Sequence, residues 1–426
     1  MNSKKTFRIF TLCLILIVAV GCEYNDYPDP IWNPDETGSP APTITAVSVY
    51  PPGVAYDGVS TITITGTNYS EIPSENQVTF NGYVGSIHES ESSTEQLVVT
   101  MPIVITDAAI NEIDNAQLLV AVQGAYSAAA YTGTFPVKRA VIHWGGFVGE
   151  LPAKDPLAVA VDADENVYVA AKDKALYKID TLGVRTVYGD MKSTVITDMK
   201  VGPDGYIYFG RNIPRIYRVP PGGGDGASWH GVGSKIACFD FTEDQNIYCS
   251  GKNDSIYFVD RVAETHFGAG LSEDYTYVAL RVFDGHVYVA GTYVGTDTLV
   301  TVTEGVWKHQ ILASNFLGDR ELVYDWSASS YAPAQNITSL MINDEGLLYL
   351  GLSEGDGPAM VTLDEASQAV APFYEAVLTG PATMLSWGNG AFMYCVRNLT
   401  APTDQVPNTV FKIAQTAVSA PYYGRN

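Results

Sequence analysis

The sequence predicts an all-β protein in which an immunoglobulin-like sandwich is followed by a six-bladed β-propeller. Two observations lead to this prediction. Residues 42–137 contain short runs of alternating apolar and polar residues separated by turn residues, which is the pattern of half-buried strands. From about residue 150, pairs of an apolar residue and a tyrosine recur, at first 40 residues apart. A repeat of this length predicts propeller blades of four strands each.

The first domain is predicted to span residues 42–137. The run from Thr61 to Tyr69 alternates like a half-buried strand, and the strand ending at Phe80 meets Asn81-Gly82, a pair that favours a hairpin turn. Turns recur at the spacing of a β-sandwich. The segment resembles the IPT/TIG family of immunoglobulin-like domains, and the matching positions are Pro42, Pro51, Ile64-Thr-Gly-Thr-Asn-Tyr69, Val78 to Gly82, and Met101-Pro102. The resemblance implies a spacer without catalytic residues.

The second domain is predicted to span residues 138–426 and to contain six blades. Each repeated pair follows an alternating strand and a polar turn, and the six pairs are Val167-Tyr168, Ile207-Tyr208, Ile247-Tyr248, Val287-Tyr288, Leu348-Tyr349 and Met393-Tyr394. The stretch from Pro156 to Ala170 resembles the NHL-repeat family of propellers. Ala171 stands where that family usually has an aspartate, so the resemblance implies a divergent relative.

Two segments compete to close the ring. The segment from Arg139 to Gly146 precedes the first blade and has the pattern of an outer strand, so we expect it to complete the last blade and leave no open sheet edge. The segment from Ala417 to Tyr422 is the alternative. Trp387 aligns with core positions of the other blades and is predicted to be buried.

The N-terminus has the features of an export signal. Basic residues precede an apolar stretch from Ile9 to Val20, which is too short to cross a bilayer, since a spanning helix needs about 20 residues. The run Ala19-Val20-Gly21-Cys22 resembles a bacterial lipobox, which implies lipidation of Cys22 after removal of residues 1–21.

Residues 22–41 are acidic and rich in proline and are predicted to form an extended tether. The acidic start resembles the surface-export signal of Bacteroidota-type lipoproteins, which implies an outer-membrane protein exposed on the cell surface.

The net charge disfavours some classes of partner. The formal net charge is −23, and such a surface repels nucleic acid and acidic polysaccharides.

Outside the leader and Cys22 the chain contains three cysteines, Cys238, Cys249 and Cys395. The strand register places Cys238 and Cys249 on opposite faces, so buried thiols are favoured over a disulfide.

A long aromatic segment is the candidate binding site. Residues 313–336 are predicted to form a long loop between blades 4 and 5, and they contain Tyr324, Trp326 and Tyr331 beside amides and carboxylates. Aromatic faces stack on sugar rings while polar groups bind hydroxyls. We therefore predict a ligand-binding rim in which Trp326 is the stacking platform and Tyr324, Tyr331 and Trp229 support it. The alternative is a loop that packs its aromatic residues into a small core of its own.

Metal sites and catalysis are not expected. The motif Asp162-x-Asp164-x-Asn166 resembles a calcium loop, but turn chemistry explains it better, because the glutamate that such a loop requires at its end is absent. The six histidines occupy no common blade position: His88, His143, His230, His266, His286 and His309. No nucleophile–base arrangement is recognisable, so we expect neither a cofactor nor a metal.

Taken together, anchor, tether, spacer and propeller resemble the surface glycan-binding lipoproteins of polysaccharide-uptake systems. The resemblance implies a non-catalytic protein that captures a neutral polysaccharide or oligosaccharide, with an outer-membrane transporter as a further partner. A protein-binding module or adhesin of the cell envelope is the alternative function, and a propeller lyase or hydrolase is the third.

Overall fold

The computed structural model describes residues 38–425 except 51, 108, 253–254, 272–273, 314 and 404–405. The leader, Cys22, nearly all of the tether, and Pro51 of the first domain lie outside the described residues. The described chain is built from small β-sheets, which confirms the predicted all-β class. Helical structure in these ranges consists of short 3-10 turns: Pro73–Glu75, Glu89–Glu91, Pro152–Lys154, Trp326–Ala328 and Tyr423–Arg425. No helix in the described part of the chain is long and apolar enough to cross a membrane.

Three small sheets form the immunoglobulin-like domain. The first contains, in spatial order, Thr43–Tyr50, Thr61–Thr67, Gln96–Thr100 and Ser86–Ile87. The second contains Ala129–Ala130, Leu118–Val122, Asn76–Phe80 and Tyr83–Val84, and the third contains Ala55–Asp57, Val137–Arg139 and Glu112–Ile113. Side chains that alternate along these strands, such as Ile62, Ile64, Val78 and Phe80, are fully buried in one shared core. Burial of this apolar face is what holds the two larger sheets together.

Six further sheets form the propeller blades, and the strands of each blade follow in order from the innermost to the outermost. Blade 1 contains Pro156–Val161, Val167–Ala171, Ala175–Ile179 and Arg185–Asp190, and Gly224–Asp225 adds a short parallel strand at its outer edge. Blade 2 contains Asp198–Val201, Ile207–Gly210, Arg215–Val219 and Ala227–Gly231. Blade 3 contains Lys235–Phe241, Ile247–Lys252, Ser255–Asp260 and Thr265–Leu271. Blade 4 contains Tyr275–Phe283, His286–Tyr293, Glu304–Ala313 and Phe316–Asp325; blade 5 contains Ile337–Ile342, Leu348–Leu352, Met360–Asp364 and Ala369–Pro372. Blade 6 contains Met384–Trp387, Phe392–Arg397, Thr409–Ala414 and Val141–Trp144.

The repeated tyrosines lie in the second strand of each blade. All six are between 0% and 8% exposed, so the periodic pairs mark the cores between neighbouring blades. The hydroxyl groups of Tyr168 and Tyr208 donate to the carboxylates of Asp162 and Asp204 at 3.1 and 2.8 Å. These aspartates belong to the polar turns that precede the pairs. A tyrosine at this place therefore fills the core and binds its own turn.

The N-terminal strand of the propeller closes the ring. Val141–Trp144 pairs antiparallel with Thr409–Ala414, which confirms the predicted closure by the segment around residues 139–146. Ala140 alone separates this strand from Val137–Arg139 of the first domain. The competing prediction for residues 417–422 is wrong, because Ser419 bridges to Asn343 beside the innermost strand of blade 5 and the hydroxyl of Tyr422 donates to the carbonyl of Val201 in blade 2 at 2.7 Å. The C-terminal segment thus crosses the propeller axis.

Carboxylates link successive blades near the axis. We call the face at which the innermost strands begin the upper face, and the opposite one the lower face. Asp198 accepts from the backbone N–H of Phe239 at 2.9 Å, and Asp240 accepts from that of Val282 at 2.9 Å. Each bond joins a blade to the next one. Because these carboxylates are almost completely buried, the backbone donors replace the water they have lost.

The predicted long loop between blades 4 and 5 is largely a strand. Residues 316–325 form the outer strand of blade 4 and pair with Glu304–Ala313 in a hairpin of two ten-residue strands. Only residues 326–336 connect the blades. The prediction was wrong because the outer strand faces solvent on one side and carries few aliphatic residues, so it resembles a polar loop in the sequence.

Candidate ligand-binding site

The four predicted platform residues do not form one surface. Trp326 is 0% exposed and lies in the core between blades 4 and 5. Its indole N–H donates to the carbonyl of Gln335 at 3.0 Å. The prediction of a solvent-facing stacking platform at Trp326 is therefore wrong. Burial of this large apolar ring stabilises the fold more than its exposure would.

The other three predicted residues are half-buried and separated. Tyr331 stacks on Trp326, and Tyr324 packs against the same core between blades 4 and 5, so the aromatic residues join the core of the propeller rather than a separate core of the loop. Trp229 lies in the outer strand of blade 2, with its ring edge-on to Tyr208 and its N–H donating to Glu264 at 2.9 Å. The prediction that Trp229 shares a rim with Trp326 is not supported by these contacts.

A cleft in blade 4, which we call the blade 4 cleft, is a better candidate. It has a volume of about 430 Å³, within the usual range of ligand pockets. Its lining comprises Asp274, Tyr275, Tyr293, Asp297, Leu299, Val300, Thr301, Val302, Trp307, Arg320 and Leu322. The long connection between Tyr293 and Glu304 forms one wall on the upper face of the propeller. Corresponding connections have two to four residues in blades 1–3, seven in blade 5 and eleven in blade 6, so long walls on the upper face belong to the second half of the ring.

An aromatic cluster forms the floor of the cleft. The ring of Tyr275 lies edge-on to Trp307 and Tyr293, with ring centres 4.7 and 5.3 Å apart. Tyr275 and Trp307 are 4% and 3% exposed, whereas Tyr293 is half-buried. The hydroxyl of Tyr275 donates to the carbonyl of Val302 at 2.7 Å, and the hydroxyl of Tyr293 accepts from the backbone N–H of Asp297 at 2.9 Å. The tyrosines therefore fix the long connection against the blade.

Arg320 places a positive charge over this floor. Its guanidinium carbon lies 4.6 Å from the ring centre of Tyr275 and 5.4 Å from that of Trp307. Stacking on aromatic faces keeps the guanidinium plane fixed and leaves its N–H donors at the edge. Burial raises the pKa of Tyr275, and the positive charge of Arg320 acts in the opposite direction. The cleft thus combines a flat apolar surface, a fork of donors and the carboxylates of Asp274 and Asp297.

The sequence contains one indication of this site. The connection between residues 293 and 304 is longer than the corresponding ones of both neighbouring blades, but the predicted rim rested on the connections between blades. Tyr275, Tyr293, Trp307 and Arg320 come from four different strands. Their convergence depends on the register of the sheet, so no sequence spacing predicts it.

The histidines and the calcium-like turn can now be compared with their predicted roles. Two of the histidines meet, since Nε2 of His230 lies 3.2 Å from Nδ1 of His266 across the outer strands of blades 2 and 3. In the described residues, no group of three or more histidine, cysteine or acidic side chains is arranged to hold a metal ion. The carboxylate of Asp162 accepts from the backbone N–H groups of Asp164 and Asn166 at 3.0 and 2.8 Å. Turn chemistry is thereby confirmed for this motif.

The cysteines and Trp387 agree with expectation. Cys238 and Cys249 are buried free thiols on paired strands, where Cys238 is opposite Ser250 and Cys249 is opposite Phe239. They belong to cores on opposite faces of blade 3, which confirms the predicted register. Burial raises the pKa of Cys249 to about 12, so this thiol stays protonated and unreactive. Trp387 is 0% exposed, as predicted.

Solved structures share this fold at low sequence identity. A putative phosphatase from Bacteroides thetaiotaomicron is 12% identical, with a TM-score of 0.51 over 89% of this chain and 99% of that chain. Auxiliary nutrient binding proteins from Bacteroides thetaiotaomicron and Bacteroides ovatus are 10% and 13% identical, each over 90% of this chain and 99% of that chain, with TM-scores of 0.49 and 0.47. The first likeness concerns the fold alone, and the two lower scores support no conclusion about this chain.

The family comparison concerns the first domain. No curated protein matches the chain. The family model of the IPT/TIG domain matches residues 42–136, which agrees with the sandwich of three sheets and with the sequence marks at Pro42 and Ile64 to Tyr69. This part of the chain is an IPT/TIG domain.

Proposed function

We propose that the protein is a non-catalytic glycan-binding lipoprotein of the cell surface that captures polysaccharide for uptake. The observation that supports binding is the blade 4 cleft, with its aromatic floor under a fixed guanidinium. The proposal differs from the sequence-based prediction in the location of the site. The blade 4 cleft replaces the predicted surface around Trp326.

The chemistry of the cleft suits a sugar ring. The half-buried face of Tyr293 and the exposed side chain of Leu299 offer apolar surface to the C–H face of a pyranose. The fork of N–H donors on Arg320 can bind two neighbouring hydroxyl oxygens, while Asp297 and Thr301 can accept from hydroxyl groups. Because the buried rings of Tyr275 and Trp307 hold Arg320 in place, little entropy is lost when a ligand binds.

Charge favours a neutral glycan. The chain carries a formal net charge of −23, and two aspartates line the cleft together with a single arginine. A polyanionic ligand would be repelled both at a distance and at the site. The same argument disfavours nucleic acid as a ligand.

Anchoring through Cys22 supplies the location in this proposal. The lipobox-like run and the acidic tether support it from the sequence alone. A lipid-anchored protein with a tether and an IPT/TIG spacer holds its propeller away from the membrane, where it can meet a long polymer. An outer-membrane transporter is the partner expected to receive that polymer.

Glycan arrays and affinity gels with neutral polysaccharides test the proposal. We expect the wild-type protein to be retarded by at least one neutral polysaccharide, and Tyr293→Ala to lose most of this retardation. One aromatic platform contributes roughly 1–3 kcal/mol by analogy with base stacking, which is about ten-fold in affinity or more. Trp229→Ala is the matched control, because Trp229 is also half-buried but lies in blade 2, and it should bind as the wild type does. Absence of binding to every neutral glycan would refute the proposal.

A protein-binding function is the second candidate. The hairpin of blade 4 exposes Leu312, Phe316 and Leu322, which are 54%, 59% and 47% exposed. Exposed apolar side chains on one hairpin are a common feature of protein interfaces. Retention of a protein partner by wild type but not by Phe316→Ser, in the absence of any glycan binding, would favour this candidate.

A further inference from the structure

We propose that the lower end of the propeller axis binds one small monovalent anion, such as chloride, between Arg281 and Arg425. This site is separate from the blade 4 cleft. The proposal starts from N–H donors that are buried at the axis and have no partner in the described protein.

Arg281 supplies two of these donors. It lies in the innermost strand of blade 4 and is 1% exposed. Its Nη1 donates to Asp240 at 2.7 Å, but Nε and Nη2 have no hydrogen-bond partner among the described residues. A buried N–H group without an acceptor is costly, and more so on a charged side chain. An acceptor therefore belongs beside Arg281.

Arg425 supplies a third donor from the C-terminal segment. Its Nη1 donates to the side chain of Asn389 at 3.0 Å and its Nη2 to the carbonyl of Trp387. Its Nε is buried without a partner among the described residues. Burial, together with the positive charge of Arg281, lowers the pKa of Arg425 to about 10. The positive charge of Arg281 opposes that of Arg425, whereas the negative charges of Glu165 and Asp240 favour the ionised form of Arg425.

Both arginines line the same small cavity. The guanidinium carbons lie 5.6 Å and 4.8 Å from the ring centre of Tyr422, so the two groups flank this residue. The centre of a particle the size of a water molecule can move within about 10 Å³ of this cavity. The cavity therefore has room for one such particle. Its lining is Ala160, Val161, Lys200, Val201, Arg281, Met341, Leu385, Ser386, Trp387, Tyr422 and Arg425.

The charge of this lining selects an anion over water. Three cationic side chains line the cavity and no carboxylate does. Two carboxylates pair with two of these cations: Asp198 accepts from Lys200 at 2.8 Å, and Oδ2 of Asp240 accepts from Arg281 at 2.7 Å, while Oδ1 of Asp240 has no partner among the described residues. Arg425 forms no ion pair within the described part of the chain, so its charge is the one that an anion would neutralise. An anion in this cavity would accept from the unpartnered donors of the arginines that line it and would neutralise the charge of Arg425. The size of the cavity limits it to a single small ion.

The bound anion would fasten the C-terminal segment to the blades. Arg425 and Tyr422 belong to this segment, whereas Arg281 belongs to blade 4. An ion between them bridges parts of the chain that close the lower end of the axis. Anything that binds the folded state in this way raises its stability as the ligand concentration rises.

Thermal unfolding in two salts tests the proposal. Melting of the full chain is compared in sodium chloride and in sodium gluconate at equal ionic strength, because gluconate is too large for the cavity. We expect chloride to raise the melting temperature of the wild type by about 2 °C, and Arg425→Met to lose this difference. Arg320→Met is the matched control, since Arg320 also stacks on aromatic rings but lies in the blade 4 cleft, and it should keep the difference. Equal melting of the wild type in both salts would overturn the proposal, as would a chloride effect that persists in Arg425→Met.

Crystals of the wild type grown in bromide give a second measurement that requires no variant. An anomalous peak within hydrogen-bond distance of Nη2 of Arg281 and Nε of Arg425 is expected. Density at this place without an anomalous signal would mean that the cavity holds water, and the proposal would be wrong.

Discussion

The indole ring of Trp326 lies nearly parallel to the phenol ring of Tyr331, with the ring centres 6.1 Å apart and the planes inclined by 17°. The pair closes the core between blades 4 and 5, where Val306 and Leu340 also lie. The aromatic residues Trp326 and Tyr331, which the sequence suggested as a binding surface, are therefore part of the hydrophobic core. Their contribution is to join two blades of the ring.

Replacement of Trp326 should reduce stability without affecting ligand binding. Trp326→Ala removes a fully buried ring and breaks the hydrogen bond to Gln335, at a cost of about 3–5 kcal/mol. We expect a clearly lower melting temperature and unchanged affinity for any glycan that the wild type binds. Leu312→Ala is the control in the blade 4 hairpin, because its side chain is 54% exposed and lies outside the blade 4 cleft, and it should melt within about 1 °C of the wild type. Weaker glycan binding by Trp326→Ala at unchanged stability would restore the solvent-facing role.

A buried carboxyl group should make stability depend on pH. Glu304 is 6% exposed and accepts from the backbone N–H of Ile337 at 2.6 Å. Burial raises its pKa from the ordinary value of 4.5 to about 7. The folded protein therefore holds this proton more tightly than the unfolded chain does. The stability that protonation contributes is fully present below pH 4.5 and is lost as the pH rises through about 7.

The variant Glu304→Gln tests this assignment. Glutamine cannot ionise and keeps an oxygen acceptor for Ile337. We expect Glu304→Gln to be more stable than the wild type at about pH 8, by at most about 3 kcal/mol, and nearly equal to it at about pH 4.5. Urea unfolding at the two pH values measures the difference. An equal effect of the substitution at both pH values would show that ionisation of Glu304 is not the cause.

Closure of the ring depends on the strand Val141–Trp144. A chain that begins at residue 138 keeps this strand, whereas one that begins at residue 146 leaves the edge of Thr409–Ala414 unpaired. An unpaired edge loses ladder hydrogen bonds and invites aggregation. We expect the shorter chain to melt at a lower temperature and to form larger species in size-exclusion chromatography. Identical melting and elution of the two chains would contradict closure by this strand.

Lipidation is expected at Cys22. Growth with labelled palmitate should label the wild-type protein, and Cys22→Ala should abolish the label because the acceptor thiol is lost. Cys13→Ala is the control within the leader, since Cys13 precedes the predicted cleavage site, and it should be labelled normally. Label retained in Cys22→Ala would exclude this residue as the anchor.

The sequence predicted the parts of the fold that depend on local repetition. The tyrosine pairs located the blades, and the outer-strand pattern before blade 1 identified the closing strand, because both are read within one blade length. The site could not be predicted in this way. Trp326 is buried by contacts with blade 5, and the blade 4 cleft forms only when four strands pair in register.

The charged residues at the axis could be predicted from the sequence only in part. Lys200, Asp240 and Arg281 stand at corresponding places in the innermost strands of blades 2, 3 and 4. Charged side chains within apolar strands, spaced 40 and 41 residues apart, are visible in the sequence. Their meaning appears only in the folded ring, because neighbouring innermost strands then bring them into contact, as Arg281 and Asp240 show with a hydrogen bond of 2.7 Å.

The most direct test of glycan capture by the blade 4 cleft is a crystal structure with the oligosaccharide that binds best in the array. We expect a sugar ring in the cleft, with its apolar face against Tyr293 and two neighbouring hydroxyl groups bound by the guanidinium of Arg320. An oligosaccharide bound elsewhere on the propeller, with the blade 4 cleft empty, would contradict this expectation.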